Sequence, residues 1–82
     1  MEKYKNLQGV SAVRAFRIGI DFIEVMFDDR GLYTYTNFSA GGANIEHMKK
    51  LARQGYGLNS FINKAVRKHY SKKSLFFGEI SL

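Results

Sequence analysis

The 82-residue sequence contains no cysteine, and this absence removes several classes of function at once. Without cysteine there is no disulfide framework, no thiolate nucleophile and no zinc site built on sulfur. A cysteine-free chain also suits a reducing compartment, so we expect a cytoplasmic protein. The chain is too short to divide into two hydrophobic cores, which predicts a single domain over residues 1–82.

Long hydrophobic runs are missing as well. No apolar segment approaches the roughly 18 residues that span a bilayer, and the first residues lack the apolar core of a signal peptide. We therefore expect no membrane partner. Disorder is not expected either, because 45% of the residues are hydrophobic and 15% are aromatic, whereas disordered chains have few of both.

Acidic residues are scarce in the second half of the chain. Residues 1–41 hold five basic and five acidic side chains, whereas residues 42–82 hold eight basic side chains and only two acidic ones. The formal net charge of +6 therefore lies entirely in the second half. This asymmetry favours a polyanionic partner, namely nucleic acid, an acidic protein or a membrane face, although a solvated helix surface has the same composition.

Hydrophobic and polar residues alternate in the first half, as half-buried β-strands require. The alternation changes phase between Ile18 and Ile23, which predicts a turn at residues 19–22. A four-residue loop there pairs Ile18 with Ile23 and Phe16 with Val25.

The next turn contains Gly31 and has two possible registers. A two-residue loop would turn both following tyrosines away from Phe27. A three-residue loop ending in a left-handed Gly31 instead pairs Phe27 with Tyr33 and Val25 with Tyr35. We prefer the second register because it collects one apolar face: Phe16, Ile18, Ile23, Val25, Phe27, Tyr33 and Tyr35.

The second half shows helical spacing. Asn44 is placed to cap a helix over residues 45–54, which ends where Gly55 can adopt the left-handed conformation. Asn59, or the serine after it, can cap a second helix that runs to about His69. The predicted fold is therefore α+β, with a three-stranded antiparallel β-meander and two C-terminal helices packed on one face.

The last segment, residues 71–82, is too apolar for a free tail. It contains Leu75, Phe76 and Phe77 in sequence, followed by Ile80. We expect these residues to pack back on the domain or to add a strand to the sheet.

A Tyr-x-Tyr element stands between the hairpin turn and the two helices, and a glycine, an asparagine and a basic segment ending in tyrosine follow it. The residues concerned are Tyr33, Tyr35, Gly57, Asn59, Lys64, Arg67 and Tyr70. Over roughly residues 10–70 this order resembles the KTSC domain, a small module found at the C-terminus of some lysyl-tRNA synthetases and alone in small bacterial proteins. The loop at residues 39–42 and the apolar tail depart from the family pattern. The resemblance implies the fold given above and, from the synthetase context, RNA binding.

Candidate catalytic and metal-binding groups are few. His47 and His69 would need neighbouring carboxylates to hold a metal, and acidic residues are sparse near both. No serine lies in a nucleophile elbow, and the Gly-Tyr-Gly at residues 55–57 follows a helix rather than a strand, unlike a nucleotide-binding loop. We therefore expect no catalytic residue, no metal and no cofactor.

Two features are open to a binding or a structural interpretation. The N–H groups at residues 58–61, near Arg53 and Lys64, would suit a phosphate, but capping by Asn59 explains the same pattern. Exposed Tyr33 and Tyr35 would stack on unpaired bases, whereas the preferred register makes them core residues. We favour the core role, which moves the binding surface to the helices.

The predicted function is a non-enzymatic module that binds nucleic acid, with RNA favoured, through phosphate contacts on its helical side. The candidate contacts are Lys49, Lys50, Arg53, Lys64, Arg67, Lys68, Lys72 and Lys73. The alternative is a protein-interaction module or homodimer that uses a sheet edge or the apolar residues 75–77.

Overall fold

The computed structural model describes residues 1–76 and shows an antiparallel sheet whose five strands lie in chain order. Helical segments cover one face of this sheet. The elements are β1 (Glu2–Lys3), β2 (Val13–Ile18), β3 (Phe22–Phe27), β4 (Gly31–Thr36), α1 (Asn37–Ala40), α2 (Gly42–Gln54), α3 (Leu58–Phe61), a π-helical segment (Ile62–Val66) and β5 (Lys72–Leu75).

The α+β class is confirmed, but the sheet is larger than the predicted three strands. β1 pairs with β2 on one side, and β5 pairs with β4 on the other. The alternation of hydrophobic and polar residues did not predict β1, because a strand of two residues is too short to show a period of two. β5 agrees with the expectation that the tail adds a strand, while Phe77 and Ile80 lie outside the described residues.

The pairing of β2 with β3 has the predicted register. Ile18 lies opposite Ile23, and Phe16 lies opposite Val25. A register shift between Val13 and Ala15 then returns the side chain of Val13 to the same face as Phe16, although the two are three residues apart.

The predicted register between β3 and β4 is wrong by two residues. Tyr33 lies opposite Val25 and Tyr35 lies opposite Ile23. The left-handed residue of the turn is Arg30, with φ of 67°, whereas Gly31 is already the first residue of β4. Since a shift of two residues preserves the face, both tyrosines still point toward the helices.

The first predicted helix begins earlier than expected. Thr36 and Ser39 form a capping box that nucleates α1, where the sequence predicted only a loop. α2 then starts at Gly42, so Asn44 lies inside it and donates its Nδ2–H to the Ala40 carbonyl at 2.8 Å instead of capping. Gly55 ends α2 as predicted, with φ of 87°.

The second predicted helix is divided into two kinds of helix. α3 follows the left-handed Gly57, whose φ is 86°, and no side chain caps it, so the predicted cap by Asn59 is wrong. The chain continues as the π-helical segment and leaves helical geometry after Val66, before His69.

The main core lies between the sheet and the helices. Its fully buried large side chains include Tyr4, Val13, Phe16, Ile23, Val25, Tyr35, Ile45, Met48, Leu58 and Val66. Tyr4 reaches this core from the N-terminal segment, and its hydroxyl accepts the Leu58 N–H at 3.4 Å. That N–H is therefore not free for a phosphate. In the part of the chain that the structure describes, no helix combines the length and the hydrophobicity needed to cross a bilayer.

Candidate functional site

A cavity of about 430 Å³ lies between the sheet and the second helical region. One wall is aromatic and the other carries amide and basic side chains. The lining residues are Ala12, Phe27, Tyr33, Tyr35, Asn59, Ile62, Asn63, Arg67, Lys68 and Tyr70. The helices therefore leave part of the inner sheet face uncovered. This differs from the prediction that this face is covered and that the binding surface lies on the helices.

The aromatic wall is one connected group of rings. Tyr33 meets Phe27 and Tyr70 edge to face, with ring centroids 5.3 and 5.1 Å apart. Tyr33 and Tyr35 alternate along β4, so their rings lie nearly parallel on one face, 6.5 Å apart. Tyr70 enters from the segment after the helices and stands perpendicular to both. Packing on three sides fixes the orientation of Tyr33.

Tyr35 combines a buried ring with a hydroxyl that has no partner in the described chain. The residue is 1% exposed and lines the cavity. Its hydroxyl makes no hydrogen bond within residues 1–76. No fully buried side-chain nitrogen or oxygen in this range lacks a hydrogen-bond partner, so the hydroxyl oxygen is not fully buried. The hydroxyl therefore faces the cavity. Burial, with smaller contributions from Tyr33 and Tyr70, raises the pKa of Tyr35, so it remains a neutral hydrogen-bond donor.

The polar wall comes from a helical stripe. Asn59, Asn63 and Arg67 follow one another at intervals of four, which places them on one side of the helical region, with Ile62 beside them. Asn63 is not among the predicted contacts, although this spacing is visible in the sequence. π-helical turns are often found at functional sites, and this one carries two of the lining residues, Ile62 and Asn63.

The charge at the cavity is positive. Arg67 and Lys68 line it, are exposed, and are accompanied by no carboxylate among the described lining residues. Lys73, on β5, places its Nζ 5.3 Å from the centroid of the Tyr33 ring. A hydrogen bond to the Tyr33 side chain raises the pKa of Lys73, so it too carries its charge at neutral pH.

The predicted basic surface on α2 is not continuous with this cavity. Lys49 is 5% exposed; its Nζ donates to the Ile20 carbonyl at 2.9 Å and pairs with Glu46 at 3.1 Å. Lys49 is therefore a structural residue. Arg53 borders a different hollow, beside Arg17 and the strands β1 and β2.

The remaining predicted contacts occupy different surroundings. Lys50 and Lys64 are exposed, and neither lines the cavity. Lys72 lies opposite Thr34 and Lys73 opposite Tyr33, so the two lysines point to opposite faces of the sheet. Of the eight predicted basic contacts, the structure brings Arg67, Lys68 and Lys73 to the aromatic cluster.

Five of the seven residues that carry the resemblance meet in the cavity. They are spread over 38 positions of the sequence: Tyr33, Tyr35, Asn59, Arg67 and Tyr70. Gly57 and Lys64 do not line the cavity, but Gly57 precedes α3 with a left-handed backbone that L-residues with a Cβ rarely adopt. The motif therefore describes one three-dimensional site and the turn that positions it.

Alkaline pH is expected to test the environment of Tyr35. Since its folded-state pKa is raised, the unfolded chain ionises first, near pH 10. Tyr35 should then reduce the free energy of unfolding by about 1.4 kcal/mol per pH unit above pH 10. Urea unfolding of the native protein and Tyr35→Phe between pH 8 and 11 measures this. Parallel pH profiles for the two proteins would contradict the burial of the Tyr35 hydroxyl.

Residues 1–76 contain no group of three or more histidine and carboxylate side chains that could hold a metal ion. The chain matches no family model, no curated protein and no solved structure. The resemblance to the KTSC domain thus stays a prediction from the sequence.

Proposed function

We propose that this protein is a non-enzymatic cytoplasmic module that binds RNA at the cavity and its basic rim. The observation that carries the proposal is the meeting of three groups in one place. Tyrosine rings, amide side chains and the cations Arg67 and Lys68 surround the same space, and no carboxylate of residues 1–76 lines it.

These groups match the way proteins recognise unpaired RNA. Single-stranded bases are bound by aromatic side chains and by hydrogen bonds to their edges, while Arg and Lys contact the phosphates. Such a site selects single-stranded segments over duplexes, because paired bases are stacked inside the helix and do not reach a recessed aromatic wall. The revised interface is therefore the cavity rim with Lys73, in place of the two helix surfaces.

Protein interaction through a sheet edge has less support. The outer strand β5 carries Lys72 and Lys73 in four residues, and lysines on an edge strand discourage pairing with another chain. The apolar alternative would predict a salt-tolerant complex that Phe76→Asp disrupts. The RNA module predicts the opposite salt behaviour.

Fluorescence anisotropy with labelled single-stranded RNA, structured RNA and duplex DNA tests the proposal. We expect micromolar or tighter binding that favours single-stranded RNA. If Arg67, Lys68 and Lys73 each neutralise one phosphate, log K should fall with log salt at a slope of about −2. Absence of binding to all three probes at low salt would contradict an RNA-binding function.

A further inference from the structure

We propose that the cavity holds one unpaired nucleobase, inserted with its sugar and phosphate directed to the rim at Arg67 and Lys68. This assignment rests on the proposed RNA function and names the part of the RNA that the site recognises. It concerns the interior of the cavity, whereas phosphate binding concerns the rim.

The size of the cavity agrees with one nucleotide. Its volume is about 430 Å³, near the lower end of the roughly 300–1,000 Å³ found for small-molecule sites. A duplex cannot enter a space of this kind, and a bare phosphate would leave most of it unfilled. An extruded base with its ribose uses both the interior and the rim.

The lining of the cavity has hydrogen-bonding groups that no residue of the described chain satisfies. The buried Tyr35 hydroxyl faces the cavity, and neither Asn59 nor Asn63 makes a side-chain hydrogen bond within residues 1–76. A tyrosine hydroxyl and two amides supply both donors and acceptors. A purely apolar ligand would leave these groups unpaired at a cost in free energy, whereas the edge of a nucleobase carries donors and acceptors of its own.

The polarity of the site sets the orientation of the ligand. The tyrosine at the inner end, Tyr35, is 1% exposed, while Arg67 and Lys68 are exposed at the surface. A planar uncharged group therefore fits inside, and a phosphate fits outside, where its charge keeps contact with water. The reverse orientation would bury a phosphate among aromatic rings.

NMR titration of isotope-labelled protein tests this assignment, with ribose 5-phosphate as the matched ligand that lacks a base. AMP, GMP, CMP and UMP are added separately. We expect at least one nucleotide to shift the resonances of Tyr35 and the side-chain amides of Asn59 and Asn63. Ribose 5-phosphate should shift only the rim residues Arg67 and Lys68.

Asn63→Ala provides the matching variant, because Asn63 is exposed and its replacement removes a hydrogen-bonding group without disturbing the core. We expect about two- to tenfold weaker nucleotide binding, the usual effect of losing one hydrogen bond. Asn37→Ala is the control, since Asn37 is also exposed but lies on α1 and does not line the cavity. Unchanged nucleotide affinity in both variants would contradict a base-edge contact at Asn63.

The remaining outcomes separate the two proposals. Identical shifts with nucleotides and ribose 5-phosphate would overturn the base assignment. RNA binding that leaves Tyr35, Asn59 and Asn63 unshifted would also overturn it, while supporting phosphate binding at the rim. Base-dependent shifts without affinity for RNA would support the cavity assignment and contradict the RNA module.

Discussion

Replacing Arg67 and Lys68 together with glutamate is expected to lower the affinity for single-stranded RNA by roughly 100-fold. Hydrogen bonds from charged groups contribute about 1.5–3 kcal/mol each, and two new carboxylates would add repulsion from the phosphates. Both side chains are exposed, so the fold should tolerate the change. Anisotropy at low salt measures the loss, and circular dichroism checks that the double variant remains folded.

The control is a second double variant that makes the same change in net charge on a different surface. Lys50 and Arg53 are exposed on α2, and Arg53 borders the hollow beside β1 rather than the aromatic cavity. Their double replacement by glutamate should weaken binding by no more than about threefold, since distant charges are screened by salt. If both double variants lost affinity equally, the binding would depend on net charge, and the rim would have no special role.

The face of each strand was predictable, while the exact pairing was not. Alternation identifies which residues share a face, and it correctly predicted that Tyr33 and Tyr35 lie on the same face as Val25. The hairpin register depends on which turn residue adopts the left-handed conformation. Gly31 was the predicted left-handed residue, but Arg30 adopts this conformation, with φ of 67°. The Asp29 carboxylate accepts the Gly31 N–H at 2.8 Å.

The burial of Lys49 could not be read from its position on the helix. Charged residues are almost never fully buried unless they are paired. Here the β2–β3 turn presents the Ile20 carbonyl to Nζ, and Glu46 stands one helical turn earlier. A contact between residues 29 positions apart depends on the tertiary structure. For this reason, a count of basic residues overstated the binding surface.

The candidate site was only partly predictable. Four residues of the site belong to one pattern in the sequence: Tyr33, Tyr35, Asn59 and Tyr70. For Tyr33 and Tyr35, however, a place in the core and a role in ligand binding were taken as mutually exclusive. In the structure a ring packs in the core while its hydroxyl faces a cavity, because the helical segments cover the sheet incompletely. Incomplete coverage is a property of how elements pack, and periodicity carries no information about it.

Tyr35→Ala is expected to destabilise the protein by about 3–5 kcal/mol, the cost of removing a large aromatic side chain from a core. The ring is buried on β4 and contacts Tyr33 and Tyr70. A chain of 82 residues has a total stability of about 4–12 kcal/mol by the usual value per residue. Tyr35→Ala should therefore lose a large part of the total free energy of unfolding. Calorimetry should show a fall in melting temperature of roughly 20 °C.

Tyr35→Phe separates the packing role of this residue from its binding role. The variant keeps the ring and removes a hydroxyl that makes no hydrogen bond within residues 1–76. The free energy of unfolding at neutral pH should therefore change by less than about 1 kcal/mol. Nucleotide binding should weaken, because the group that faces the cavity is gone. If Tyr35→Phe proved as unstable as Tyr35→Ala, the hydroxyl would have a structural partner and would not be available to a ligand. A stable variant that binds nucleotides less tightly would assign the ring to the core and the hydroxyl to recognition.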